Sequence, residues 1–288
     1  MERRIGDFTS DFWLRQYGMT GDETVQIRLA DPRPLLCPGR LDLVSKILYV
    51  RARLSGRERA FAKALYRACI RAFVGPRYEE VGTAGKAGLP AHYRQFNALI
   101  DSAVARGLDP AVSAVSLTED GVVIDGAHRA AVAYVLGCPL PVFSVPGVER
   151  NCNDAFFASR GLDRVYRDSL AYGYASLVRH PAVLVLRVPS EEALRITRGI
   201  VSLCAPLACE CPLDGGRVLY VLGSENDWAP DLLLAALADQ GAAPLEFCEG
   251  AQAVREIRTL LRIGTLSFWA RHFRAGLALR RQDRSLLK

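Results

Sequence analysis

Apolar residues recur at helical spacing through LDLVSKILYVRARL, where Leu43, Ile47 and Val50 share a face and Leu48 flanks it. A second helical stretch is predicted over residues 57–73, stopped by Gly75-Pro76. GTAGKAGLP has the composition of a loop. A third helix is predicted over 93–106, with Phe96, Leu99, Ile100 and Val104 on one face and Gly107 at its end. The pattern then shifts to alternation. AVSAVSL, a turn at Glu119-Asp120-Gly121 and the return Val122-Val123-Ile124 predict a hairpin. DGAHR follows, then the short apolar helix AAVAYVLG and the strand PLPVFSV. Residues 1–28 are polar and dotted with aromatics, the pattern of an irregular arm.

Beyond a helical connector at 154–178, strand-like runs alternate with helical ones. The strands are VLVLRV, VLYVLG and PLEF; the helices cover 190–202 and 230–239. This alternation predicts a small α/β unit with parallel strands. The whole is an α/β chain in four parts: an N-terminal arm with helices (1–77), an α+β domain (78–150), a helical connector (151–182) and the small α/β unit with a basic terminal helix (183–288). In that last helix Leu266, Trp269, Phe273 and Leu277 form a narrow apolar stripe.

With 50% hydrophobic and 24% charged residues, the chain is a folded globular protein and not a disordered one. The net charge of +6 is concentrated: residues 251–288 carry nine basic side chains against Glu256 and Asp283. That segment suits an anionic surface or an acidic protein, and the stripe packing on the α/β unit is the competing expectation. Only four of the basic residues are Lys, so the excess of Arg is no argument for nucleic acid. No secretory signal is visible at the start, and Pro139, Pro141 and Pro146 break the one long uncharged run, so the chain is expected in the cytoplasm. The eight Cys then read as free thiols; Cys204, Cys209 and Cys211 lack structural-zinc spacing.

The informative stretch is 108–145. A tight Gly126 turn delivers a strand into a helix N-terminus carrying His128 and Arg129. Free backbone N–H groups, the helix dipole and the guanidinium all favour an anion there, most naturally a phosphate. Asp125 is placed to bind a metal, to orient His128 or to act as a base. The alternative is a structural turn, with Asp125 capping the helix and His128 satisfied by hydrogen bonds.

Residues 78–145, with FNALIDSAVARGLDP before the turn and PLPVFSV after its helix, resemble the ParB/sulfiredoxin superfamily. Its members use a GxxR turn to bind nucleotide or phosphate. Sulfiredoxins carry a reactive Cys where this chain has Ala127, so no thiolate is available for sulfinic-acid reduction. Partition proteins carry GERR and a helix-turn-helix; only Arg129 matches, and no helix-turn-helix follows. The nearest turn is the Asp-Gly-His-His-Arg of free serine kinases. This chain keeps Asp125, Gly126, His128 and Arg129 and has Ala127 for the first His.

That resemblance implies a nucleotide-dependent kinase using ATP or ADP with Mg2+ and a small hydroxyl-bearing acceptor. It makes Asp125, Glu80 and His128 the catalytic candidates, Glu80 standing with Glu79 where the kinases place an acid. Gly126, Ala127, His128, Arg129 and Lys86 become the nucleotide-binding candidates. Lys86 lies in GTAGKAG, which is not a Walker A loop: Glu80 replaces the first Gly and Ala87 the Ser or Thr. A similarity of LDLVSKILYV and DGAHR to ParB-like proteins beside surface-polysaccharide genes implies a sugar acceptor. The competing functions are a non-enzymatic ParB-like module binding nucleotide or nucleic acid, and an inactive scaffold.

Overall fold

A computed structural model describes residues 1–79, 87–109, 114–242 and 244–285. The protein is of the α/β class and holds two four-stranded sheets. The first is the one that carries the DGAHR turn. In it β3 (Arg28–Ala30) pairs antiparallel with β6 (Leu140–Ser144), β6 parallel with β4 (Val115–Leu117), and β4 antiparallel with β5 (Val123–Asp125). The expected β4–β5 hairpin is present. The helix α5 (Ala127–Leu136) returns the chain so that β6 lies parallel to β4. Its buried residues are nearly all alanine, which lets α2 (Asp42–Ser55) pack closely through Leu43, Val44 and Ile47. Helices α3 (Arg59–Val74) and α4 (Leu89–Arg106) complete this half, α3 ending at Gly75 as its stop signal predicts. Tyr49, Tyr66, Tyr93 and Phe96 join α2, α3 and α4 in a ring cluster.

Residues 1–28 are not an irregular arm. β1 (Glu2–Arg4) pairs with β2 (Thr24–Gln26), α1 (Asp11–Tyr17) lies between them, and Ile5, Leu14, Tyr17, Val25 and Ile27 bury against Phe143 and Val145 of the first sheet. The elements are three to seven residues long. Each is too short to show a period, and their stability comes from tertiary burial.

The connector forms α6 (Asp154–Ser159) and α7 (Arg164–Ala175), and leads into the second sheet. Its strands β7 (His180–Arg187), β8 (Leu207–Leu213), β9 (Arg217–Ser224) and β10 (Glu246–Glu249) lie in the order β10-β7-β9-β8. Every pairing is antiparallel, not parallel as expected from the sequence. The apolar runs of β7 and β9 arise from burial on both faces. Ala182, Leu184 and Leu186 face Val201 of α8 (Glu191–Cys204) and Leu233 of α9 (Pro230–Asp239), while Val183 and Val185 belong to the central core with Ala253 and Ile257 of α10 (Gly250–Leu260). A continuous run reports two covered faces and not strand direction. Cys209 and Cys211 of β8 are buried core thiols, both pushed upward by burial, and all eight Cys are free.

The helix α11 (Leu266–Ser285) runs back across α3 and α7. Its buried residues are Phe268, His272 and Ala275, whereas Leu266, Trp269 and Phe273 of the expected stripe stand exposed. The packed face is therefore rotated by about one residue. Asp283 continues it, accepting hydrogen bonds from Arg67, Arg71 and Tyr78. No helix among the described residues is long and apolar enough to cross a membrane.

Candidate phosphate-binding turn

Strand β5 ends at Asp125, whose backbone N–H donates to Ser116 Oγ at 3.0 Å. Ser116 Oγ in turn lies 2.6 Å from the Tyr17 hydroxyl, in a buried contact that ties the N-terminal unit to the turn. Gly126 has φ +90°, in the left-handed region, and a Cβ there would lie 2.7 Å from Val115 Cγ2 and 2.9 Å from an Arg129 Nη. Only glycine makes this turn while the guanidinium lies across it. No side chain caps α5, so its first turn offers N–H groups without a carboxylate or hydroxyl on them.

Arg129 Nη2 lies 3.7 Å from Asp125 Oδ2, one turn away, and both side chains are partly exposed. His128 turns the other way. Its Nε2 is 2.9 Å from the Tyr66 hydroxyl and its ring meets Phe96 edge-on at 4.5 Å. The structure thus brings Asp125 and Arg129 to the mouth of the turn and ties His128 to the α3–α4 ring cluster. Asp125 does not cap α5. Glu80 and Lys86 lie outside the described residues. The segment's flanks, Glu79 and Ala87, meet in an antiparallel bridge.

Behind the turn is a cleft lined by Trp13, Phe73, Asp125–His128 and four charged residues that the sequence analysis did not single out: Arg40, Asp42, Lys46 and Arg150. Arg40 Nε and Nη2 donate to the two oxygens of Asp42 at 2.7 and 2.8 Å, and Lys46 Nζ donates to Oδ2 at 2.7 Å. The third Arg40 nitrogen donates to the Val123 carbonyl of β5. All three side chains are at most 4% exposed. Burial alone would push the Asp42 carboxyl up; the two cations overcome it and hold it far below the carboxylate range. For Arg40, burial opposes the charge and Asp42 more than restores it. Arg150 lies over Phe73, its guanidinium carbon 5.0 Å from the ring centroid, and its buried Nε has no hydrogen-bond partner. Counting Arg129, the site holds four cations against Asp42 and Asp125.

The cleft's volume is about 40 Å³, little more than one water's share of liquid. It admits the tip of a ligand, and the body of a nucleotide would lie outside it. One sequence signal for the hidden cluster exists: Asp42 and Lys46 stand four apart on a helix whose neighbours Leu43 and Ile47 are core residues. Arg40, Arg150, Tyr17 and Ser116 come from distant segments and leave no such trace. No group of three or more His, Cys, Asp or Glu able to hold a metal occurs among the described residues. No family model, curated protein or solved structure matches the chain.

Proposed function

We propose that this chain is a nucleotide-dependent phosphotransferase whose Gly126–Arg129 turn receives the transferring phosphate. The observation that carries the reading is the uncapped start of α5 beside a surplus of cations, one of them Arg150 with a buried, unpartnered Nε. Gly126 and Ala127 contribute backbone N–H groups, and Arg129 releases Asp125 to pair with phosphate oxygens. Asp125 then accepts the proton of the acceptor hydroxyl, with Glu80 as the second acidic candidate. His128, bonded to Tyr66, positions the turn.

The residues fit a phosphate group. ATP or ADP with Mg2+ would supply the phosphoryl group and screen its charge. Mg2+ needs few protein ligands when phosphates and waters complete its shell, which leaves Asp125 for proton transfer. Lys86 remains a phosphate ligand proposed from the sequence. The acceptor is a small hydroxyl compound, a sugar on the resemblance to polysaccharide-associated relatives.

The reading is tested by incubating the protein with ATP or ADP and Mg2+, following turnover and measuring nucleotide affinity by calorimetry. Arg129→Ala should abolish binding with the fold intact, and unchanged affinity would sink the phosphate site. Asp125→Asn should cut turnover by about 100- to 10,000-fold with little change in affinity. Binding without turnover would favour the non-enzymatic module.

Residues Leu266, Trp269 and Phe273, exposed beside Arg274 and Arg281, support a cytoplasmic protein that associates peripherally with an anionic lipid surface. Co-sedimentation with anionic vesicles should be seen at low salt and lost at high salt. Absence of sedimentation at low salt would remove it.

A further inference from the structure

A second cavity lies farther toward the N-terminal end of α3, between α3, α4, α7 and α11. Its volume is about 680 Å³, within the range of small-molecule sites. The DGAHR cleft takes residues 70, 73 and 74 of α3; this cavity takes 60, 63, 64 and 67. The two are therefore separate.

Four cations line it: Lys63, Arg67, Arg94 and Arg280. Arg67 is held by Asp283. Among the described residues, no carboxylate pairs with Lys63, Arg94 or Arg280. Lys63 Nζ sits 4.8 Å from the centre of the Tyr93 ring, which also forms part of the wall. Most of the surface between the cations is apolar. Lys63, Arg94 and Arg280 stand exposed at its rim, and a groove lined by cations without counter-charges attracts an anion.

The second observation is Tyr166 of α7. Its side chain is 2% exposed, yet its hydroxyl has no hydrogen-bond partner. Such a group calls for an explanation, because a buried donor left unmade is destabilising. The residue lines the cavity, and opposite the hydroxyl is Gly276, where a Cβ would lie 3.6 Å from the oxygen. Gly276, inside α11, places no side chain over the hydroxyl. Burial, with Asp163 nearby, pushes the Tyr166 phenol up to about 12 against the pull of Arg67 and Arg280. It is therefore a protonated donor at neutral pH.

We propose that this cavity is a ligand site for a small organic phosphate, an aromatic or apolar body carrying a phosphate group. Tyr93 and the apolar walls take the body, Arg94, Arg280 and Lys63 the phosphate, and the Tyr166 hydroxyl donates to one oxygen. Three cations are more than the two oxygens of a single carboxylate can engage, which favours phosphate.

The test is calorimetry on the full chain with phenyl phosphate, with inorganic phosphate and phenol as half-ligands. Phenyl phosphate should bind in one-to-one ratio at this site, at least about tenfold tighter than either half. Arg94→Gln with Arg280→Gln should weaken it by at least about tenfold. Tyr166→Phe should weaken it roughly three- to tenfold without lowering Tm, since the hydroxyl has no partner in the free protein. Arg129→Ala should leave it unchanged, so a failure of the turn and a failure of this site are told apart. The proposal is overturned by absence of binding, by equal affinity for inorganic phosphate, or by a loss in Arg129→Ala with the Arg94 and Arg280 variants normal.

Discussion

Helix α3 borders two groups of cations in opposite condition, one buried and paired, the other exposed and unpaired. Toward the DGAHR turn, Arg40 and Lys46 share one carboxylate, Asp42, with hydrogen bonds of 2.7–2.8 Å and almost no exposure. Toward α11, Lys63, Arg94 and Arg280 border a large open cavity without a carboxylate among the described residues. The first group has its charge spent on the fold: Arg40 reaches the Val123 carbonyl and so fixes the strand that ends in the turn. The second group has its charge to spare. Residue type alone does not distinguish a structural cation from a binding one; the pairing does.

Breaking the paired side should cost most. Asp42→Asn leaves two buried cations uncompensated and should destabilise the protein by about 3–5 kcal/mol, read from urea unfolding. Replacing Arg40, Asp42 and Lys46 together by apolar residues of similar volume should recover much of that loss, and a further loss instead would mean the cluster holds more than itself. Gly126→Ala comes next, at about 1–3 kcal/mol, because the left-handed φ and the contact with Val115 both oppose a Cβ. Full stability in that variant would show that Arg129 and Val115 can move aside.

Asp283→Asn tests the border between the two conditions, since this carboxylate neutralises Arg67 and Arg71 at the cavity's edge. It is only partly buried, so a loss of about 1–2 kcal/mol is expected, with faster hydrogen exchange confined to α11. A smaller effect is pH-dependent. Burial holds the His272 imidazole below its ordinary 6.5, with Asp163 pulling weakly the other way. As pH falls below 6.5 the unfolded chain takes the proton before the folded one does. The stability from His272 is thus full above that pH and lost as pH falls toward the folded value, with a slope of at most about 1.4 kcal/mol per pH unit. Subtracting the profile of His272→Gln should isolate it; identical profiles would show that the ring titrates freely. Smallest of all, Arg94→Gln and Arg280→Gln should each change stability by less than about 0.5 kcal/mol.

The elements best legible in the sequence were those with punctuation. The stop signal Gly75-Pro76 marks the end of α3, Pro230 begins α9, and Glu119-Asp120-Gly121 joins β4 to β5. Strand β8 escaped because LACECPL mixes small and polar residues. The face of α11 was misplaced because Trp269 and Phe273 weigh heavily as apolar residues, while the side chains that pack include His272 and Ala275. At the turn, Asp125, Gly126 and Arg129 were legible because their chemistry is local. The Tyr17–Ser116–Asp125 link and the Arg40–Val123 bond span 99 and 83 residues in their longest steps, and nothing local encodes them.

The Arg67–Asp283 pair joins residues 216 positions apart. On the ribosome, α3 emerges long before its counter-charge exists, and so do the walls of the cavity on α4 and α7. The basic side of α3 is then uncovered while the intervening residues are made, at about 5–20 residues per second. The pocket can close only after residue 283 has left the exit tunnel, so this half of the molecule is completed long after α3 has emerged. A nascent chain stalled before α11 would present Arg67 and Arg71 bare, and nearby polyanions such as ribosomal RNA would compete for them until the helix arrives.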